Sequence, residues 1–144
     1  MKTVNLNVPI SKVYEDEHIV YGVVYKASKE FDEDGAPLDN VDTDGNWMSE
    51  ETVKKACHAF NKKIQKADNK GFQGVDKRHN GVDGAGIVLE SYIAKSKIEE
   101  INADEGDWVA AIEVTDEPLW EDILKGQITG FSIGGTARII EEGE

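Results

Sequence analysis

The sequence predicts an α+β domain that is predominantly β. Three observations carry this. Several short segments alternate apolar with polar residues or are rich in β-branched and aromatic ones, which is the signature of strands. At least two other segments repeat their apolar residues at helical spacing. A length of 144 residues suits one domain with a real core.

The elements follow in order. Val4, Leu6, Val8 and Ile10 alternate with polar residues and predict an opening strand. Residues 14–17 carry three acids and read as a turn. Residues 18–27, HIVYGVVYKA, predict a second strand, in which Gly22 marks a bulge or a close contact. His18, at its start, reads as a surface residue, because nothing near it completes a catalytic set.

Residues 28–46 are acidic and loop-like, broken by Gly35, Pro37 and Gly45. Within and just after them, Asn40, Asp42, Asp44, Gly45 and Glu51 fall at positions 1, 3, 5, 6 and 12 of a calcium-binding EF-hand loop. Asn40 stands where an aspartate is usual, and no helix is predicted upstream. The competing reading is an acidic turn before a helix N-terminus, where negative charge is favoured. That helix is capped by Ser49 and has Glu50 and Glu51 in its first turn. Val53, Ala56, Cys57, Phe60 and Ile64 form its apolar stripe, which puts Cys57 in the core and His58 towards solvent.

After a polar connector, residues 75–79 predict a short strand and residues 87–94 a returning one, joined by a glycine-rich connection. A hairpin centred between Gly84 and Ala85 would set His79 opposite Glu90, with Cβ atoms about 4.5–5.5 Å apart. The carboxylate could then fix one imidazole tautomer and leave the other nitrogen to take a proton from a serine. A slip of one residue in register would put the two on opposite faces. A further strand, WVAAIEVT at residues 108–115, places Trp108, Ala110, Ile112 and Val114 on one face. A second helix starts at Asp116, carries Pro118 in its first turn, turns Trp120, Ile123 and Leu124 inward, and stops at Gly126.

The short helix leads into GQITGFSIGGTAR, residues 126–138. Ser132 lies there between Phe131 and Ile133, fenced by Gly130, Gly134 and Gly135. Glycines at that density let another backbone or a ligand approach the hydroxyl. An ordinary serine in a tight β-bend is the competing reading. The stretch matches G-x-S-x-G, but an α/β-hydrolase elbow needs a helix after the serine and a histidine downstream. Here strand continues, and no histidine follows. If Ser132 is a nucleophile, its base lies upstream.

Composition limits the alternatives. No apolar run reaches the roughly 18 residues of a membrane helix, and the N-terminus lacks the apolar core of a signal peptide. One cysteine excludes an internal disulfide and fits a reducing compartment. With only three histidines beside it, a structural zinc site is not expected. A net charge of −13 with no basic patch argues against nucleic-acid binding.

Several segments together resemble a known family. YGVVYK at 21–26, VDTDGNWMSEE at 41–51, the histidine of KRHN at 77–80, VLESYIA at 88–94, the Trp108 strand and LWEDILKGQITGFSIGG at 119–135 look like the tailed-phage prohead proteases. The nearest branch is the phage serine protease family called XkdF-like. The likeness spans about residues 21–140 in consistent order, and GQITGFSIGG after a tryptophan-bearing helix is its most specific part.

The resemblance implies an assemblin-like β-barrel with at least two flanking helices, similar to the herpesvirus enzymes. It implies a single prohead protease domain over residues 1–144, with the scaffold-like C-terminal extension of relatives absent or removed. The substrates would be phage scaffold and major capsid protein, cut inside the assembling prohead in the bacterial cytoplasm, and the enzyme would also cut itself. No cofactor is implied. A homodimer is open, since assemblins resemble enzymes activated by dimerisation. By motif position Ser132 would be the nucleophile and His79 the general base. Assemblins place a histidine after the serine as third member; this chain has none there, so Glu90 takes the role, with Glu141 as fallback. The N–H groups of Ile133 and Gly134 are oxyanion-hole candidates, with Arg138 in support. The chain end near Glu142 is a candidate self-processing site. A non-catalytic capsid-assembly protein on the same fold and a calcium-binding module are the competing functions.

Overall fold

The computed structural model describes residues 2–66, 75–76 and 86–137, with side chains over residues 8–66 and 86–131. Its elements are β1 (Lys2–Tyr14), β2 (Ile19–Tyr25), α1 (Glu50–Lys66), β3 (Val75–Asp76), β4 (Gly86–Ile93), β5 (Trp108–Val114), α2 (Glu117–Leu124) and β6 (Gly130–Ala137). The six strands form one sheet in the order β3-β6-β1-β2-β5-β4. Its described pairs are all antiparallel. The two end strands approach one another, so the sheet curls into an incomplete barrel. The expected class, α+β and mostly sheet with two helices, is the observed one.

β1 is longer than its alternating stretch because it serves two ladders. Residues from Lys2 to Pro9 pair with β6, and residues from Ile10 to Tyr14 pair with β2. Proline lacks an N–H and is tolerated where a strand leaves a ladder, and Pro9 stands at that switch. The crossing is tight. A Cβ at Gly22 would overlap the Pro9 carbonyl oxygen and lie 2.7 Å from Val8 Cγ1. Gly22 is therefore the close contact its position in the strand predicts.

The concave face holds the core. One cluster joins Val8, Val24, Met48, Trp108 and Ala110 to the α1 stripe of Val53, Ala56, Cys57 and Phe60. A second joins Val20, Ile112 and Val114 to Leu119 and Trp120 of α2. Alternate residues point the other way, so Val109 packs under the 94–107 excursion with Ala94, Ile101 and Ala103. β5 is thus buried on both faces, which is why WVAAI reads as a continuous apolar run.

Among the described residues one charged side chain is buried. Asp107 is fully buried and accepts hydrogen bonds from Lys29 Nζ at 2.6 Å, Lys26 Nζ at 3.0 Å, the Asp104 N–H at 2.8 Å and the Ala27 N–H at 3.1 Å. Burial alone would raise its carboxyl pKa. The hydrogen bonds from the lysines and amides outweigh that and hold it below the usual carboxylate range. The network ties the end of β2 to the start of β5.

His18 is partly exposed, in keeping with its surface reading, and also has a packing partner. It takes a left-handed conformation (φ 56°) after the turn of residues 15–17. Its ring stacks on Trp120 at 4.4 Å. Its place is structural, between the β1–β2 turn and α2.

Candidate active site

α2 positions the serine strand. Asp116 caps it by accepting from the Leu119 N–H at 3.0 Å, and Gly126, with φ 77°, follows Lys125 at its end. The chain then joins the sheet where the Ile10 N–H donates to the Thr129 carbonyl at 2.9 Å. Phe131 packs against the core clusters of both helices. Ser132 is the next residue, so strand alternation assigns its position to the other face.

Ser132 lies between two strands. Its Cα partner is Asn7 on β1 and Asp76 on β3, so Asn7, Ser132 and Asp76 stand in one cross-strand row. Neither Asn7 nor Asp76 stood out in the sequence, because no local motif announces a cross-strand partner. Ile133 is also flanked on both sides, by Leu6 and Val75, whereas Gly134 pairs with Asn5 alone among the described residues. Of the two oxyanion candidates, Gly134 is the one whose β3 flank has no described partner. His79, Arg138, Glu141 and Glu142 lie outside the described residues.

The strand carrying Val75 and Asp76 pairs with β6, at Ile133 and Ser132, and the expected hairpin facing of His79 and Glu90 rests on residues outside the described ones. Glu90 sits on β4 at the far end of the sheet order, opposite Ala111 of β5 and just past a bulge between Val88 and Glu90. Its carboxylate accepts a hydrogen bond from the Tyr21 hydroxyl. That bond, with burial adding to it, pushes the Tyr21 phenol well above its ordinary value. Glu90 is thus exposed and already engaged on the face that carries Tyr21.

Other serines with described bonds have structural partners. The buried Ser28 hydroxyl donates to the Asp39 carbonyl at 2.8 Å. The Ser91 hydroxyl accepts from Trp108 Nε1 at 3.0 Å. No described bond joins either to a histidine, since His18 stacks on Trp120 and His58 is exposed on α1.

The acidic loop does not assemble the calcium ligand set. Asp42 Oδ1 accepts from the N–H groups of Asp44 at 2.9 Å and Asn46 at 2.8 Å, closing its own turn. Glu51 pairs with Lys55 at 3.5 Å, and the Asn40 amide donates to the Ala27 carbonyl at 2.9 Å. Among the described residues no three histidine, cysteine, aspartate or glutamate side chains could hold a metal ion, so Asp42, Asp44 and Glu51 form no such group. No described helix is long and apolar enough to cross a membrane.

No solved structure matches the chain. Two Bacillus subtilis (strain 168) proteins are similar to it. One, titled "Uncharacterized protein YqbD", is 34% identical over 138 residues, 94% of this chain and 36% of its own length. The other, titled "Phage-like element PBSX protein XkdF", is 34% identical over 131 residues, 89% of this chain and 40% of its own length. The chain thus spans well under half the length of either. Residues 7–141 match the family model described as "Putative phage serine protease XkdF", and with nearly the whole chain inside that match the protein belongs to this family.

Proposed function

We propose that the chain is a serine endopeptidase of phage capsid maturation, with Ser132 as nucleophile and His79 as general base. The observation that carries it is the row Asn7–Ser132–Asp76. Asp76 is opposite Ser132, and His79 follows Asp76 by three residues in the sequence. At about 3.3 Å per residue this tether keeps the histidine within reach of the serine's neighbourhood. The other two histidines have places of their own, at Trp120 and on the exposed face of α1.

The reaction is acyl transfer. His79 takes the Ser132 proton, the oxygen attacks a peptide carbonyl, and the protonated imidazole then gives its proton to the leaving amine. Water attacks the resulting ester by the same route. The N–H groups at Ile133 and Gly134 are proposed to receive the developing oxyanion. Glu90 keeps the proposed third role, and Asp76 is a second carboxylate position for it. Substrates are proposed to be phage scaffold and capsid-protein extensions, cut within the assembling prohead in the host cytoplasm, together with the chain's own C-terminal region.

The test is a paired co-expression. Wild type and Ser132→Ala are each produced with the neighbouring scaffold and capsid proteins, and products are read by intact mass. Cutting by wild type alone supports the reading. Equal cutting by both removes Ser132 as nucleophile. No cutting by either favours a non-catalytic assembly protein.

A further inference from the structure

The two ladders of β1 leave an opening beside the serine strand. β1 pairs with β2 only from Ile10 onward, while residues before it pair with β6. β2 continues past Gly22 and pairs with β5 alone through Tyr25. The two strands therefore diverge from an apex at Gly22 and Pro9, where their backbones touch. Residues 23–25 have no described ladder partner on the β1 side. Beside these residues lies a cleft of about 350 Å³, lined by Pro9, Val23, Val24, Tyr25, Lys26 and residues 40–42.

Its place and chemistry suit a peptide. Pro9 is the Cα partner of Gly130 and so lies on the diagonal from Ser132, a separation of about 7–8 Å. An unpaired strand edge offers backbone donors and acceptors to an extended chain. The lining is mainly apolar, and Val41 is 44% exposed over it. Its one cation is committed elsewhere: Lys26 Nζ bonds the Asn102 carbonyl at 2.8 Å and Asp107 at 3.0 Å. Asp42 is the carboxylate in its lining. Burial, with the Asp42 charge adding to it, pushes the Tyr25 phenol up to about 12, so its hydroxyl stays a donor. An acidic side chain would meet the Asp42 charge here, with the cleft's one lysine already bound to Asp107.

We propose that this cleft is the substrate groove, binding an extended segment as an added strand along residues 23–26 and seating an apolar side chain between Pro9, Val23 and Val41. The proposal rests on the protease reading for its purpose, but its binding can be measured without turnover. The probe is a blocked hexapeptide of alternating serine and leucine, titrated into the Ser132→Ala chain and followed by amide NMR. The expected result is shifts at residues 23–26 and Val41. A probe with glutamate for leucine, or the added exposed substitution Val41→Arg with the leucine probe, should bind at least tenfold more weakly. Shifts elsewhere, no binding, or equal affinity in the Val41→Arg protein would overturn the groove. Wild-type cleavage of scaffold is scored separately. Binding in the cleft without cleavage keeps the groove and removes the protease; cleavage whose site preference is unchanged by Val41→Arg removes the groove and keeps the protease.

Discussion

The two halves of the curled sheet are built on different principles. β2, β5 and β4 are held by side chains: β5 is buried on both faces, and Asp107 clamps the adjoining loops through two lysines and two amides. β6 is rich in glycine, and its Phe131 packs against both core clusters. Three of its eight residues are glycine, and Ser132 is located by ladder partners on both sides. Backbone pairing fixes a position, and glycine neighbours remove side-chain bulk beside it. The first half holds the buried Asp107 network, and the glycine-rich half carries the proposed chemistry. The halves meet in β1, which belongs to both ladders.

The comparison can be broken most directly at Ser132. Ser132→Ala should lower scaffold cleavage by at least about 10³-fold, in line with the loss of one member of a catalytic unit, and leave the melting temperature nearly unchanged. A large fall in melting temperature would show that β6 also bears packing load. Next come the two carboxylates. Glu90→Gln and Asp76→Asn separate the candidates for the third role. The one that orients His79 should cost about 10²–10⁴-fold in kcat, and a pH–rate profile should shift with it. The other should cleave normally.

Asp107→Ala tests the opposite half. It leaves Lys26 and Lys29 without their shared buried anion and should destabilise by about 3 kcal/mol, read as a melting temperature lower by on the order of 10 °C. Cleavage well below the melt should persist. The pH dependence has a defined sign. A carboxyl held below its ordinary value contributes stability above that value and loses it as pH falls through the depressed native pKa. The stability gap between wild type and Asp107→Asn should therefore be widest near neutrality and shrink below about pH 4.

Gly22→Ala strikes the junction. Its Cβ would collide with the Pro9 carbonyl, costing about 1–3 kcal/mol. Because β1 carries the Ser132 row, stability and cleavage should fall together, as in neither half alone. Tyr21→Phe is the mildest change. It removes one exposed hydrogen bond to Glu90, and denaturant unfolding should register about 1 kcal/mol or less.

Much of the architecture was legible because its signals are local. The α1 stripe put Cys57 in the core, the Asp116 cap and Gly126 bounded α2, and Gly22 marked a close approach. His18 read correctly as a surface residue, but its stacking partner was not legible, because Trp120 lies about a hundred residues away and ring stacking leaves no periodicity. The acidic loop matched a calcium spacing because spacing cannot tell a ligand from an acceptor spent on its own turn, as Asp42 is.

By itself the sequence determined the class, the helix limits and the singular serine among glycines, since propensity, capping and steric freedom act over a few residues. Only the tertiary structure decided which strands are neighbours. It placed Asp76 and Asn7 beside Ser132, sent Glu90 to Tyr21, and split β1 between two ladders to open a cleft. Pairing across a sheet depends on how the whole curled core packs, and that information is spread over every element at once.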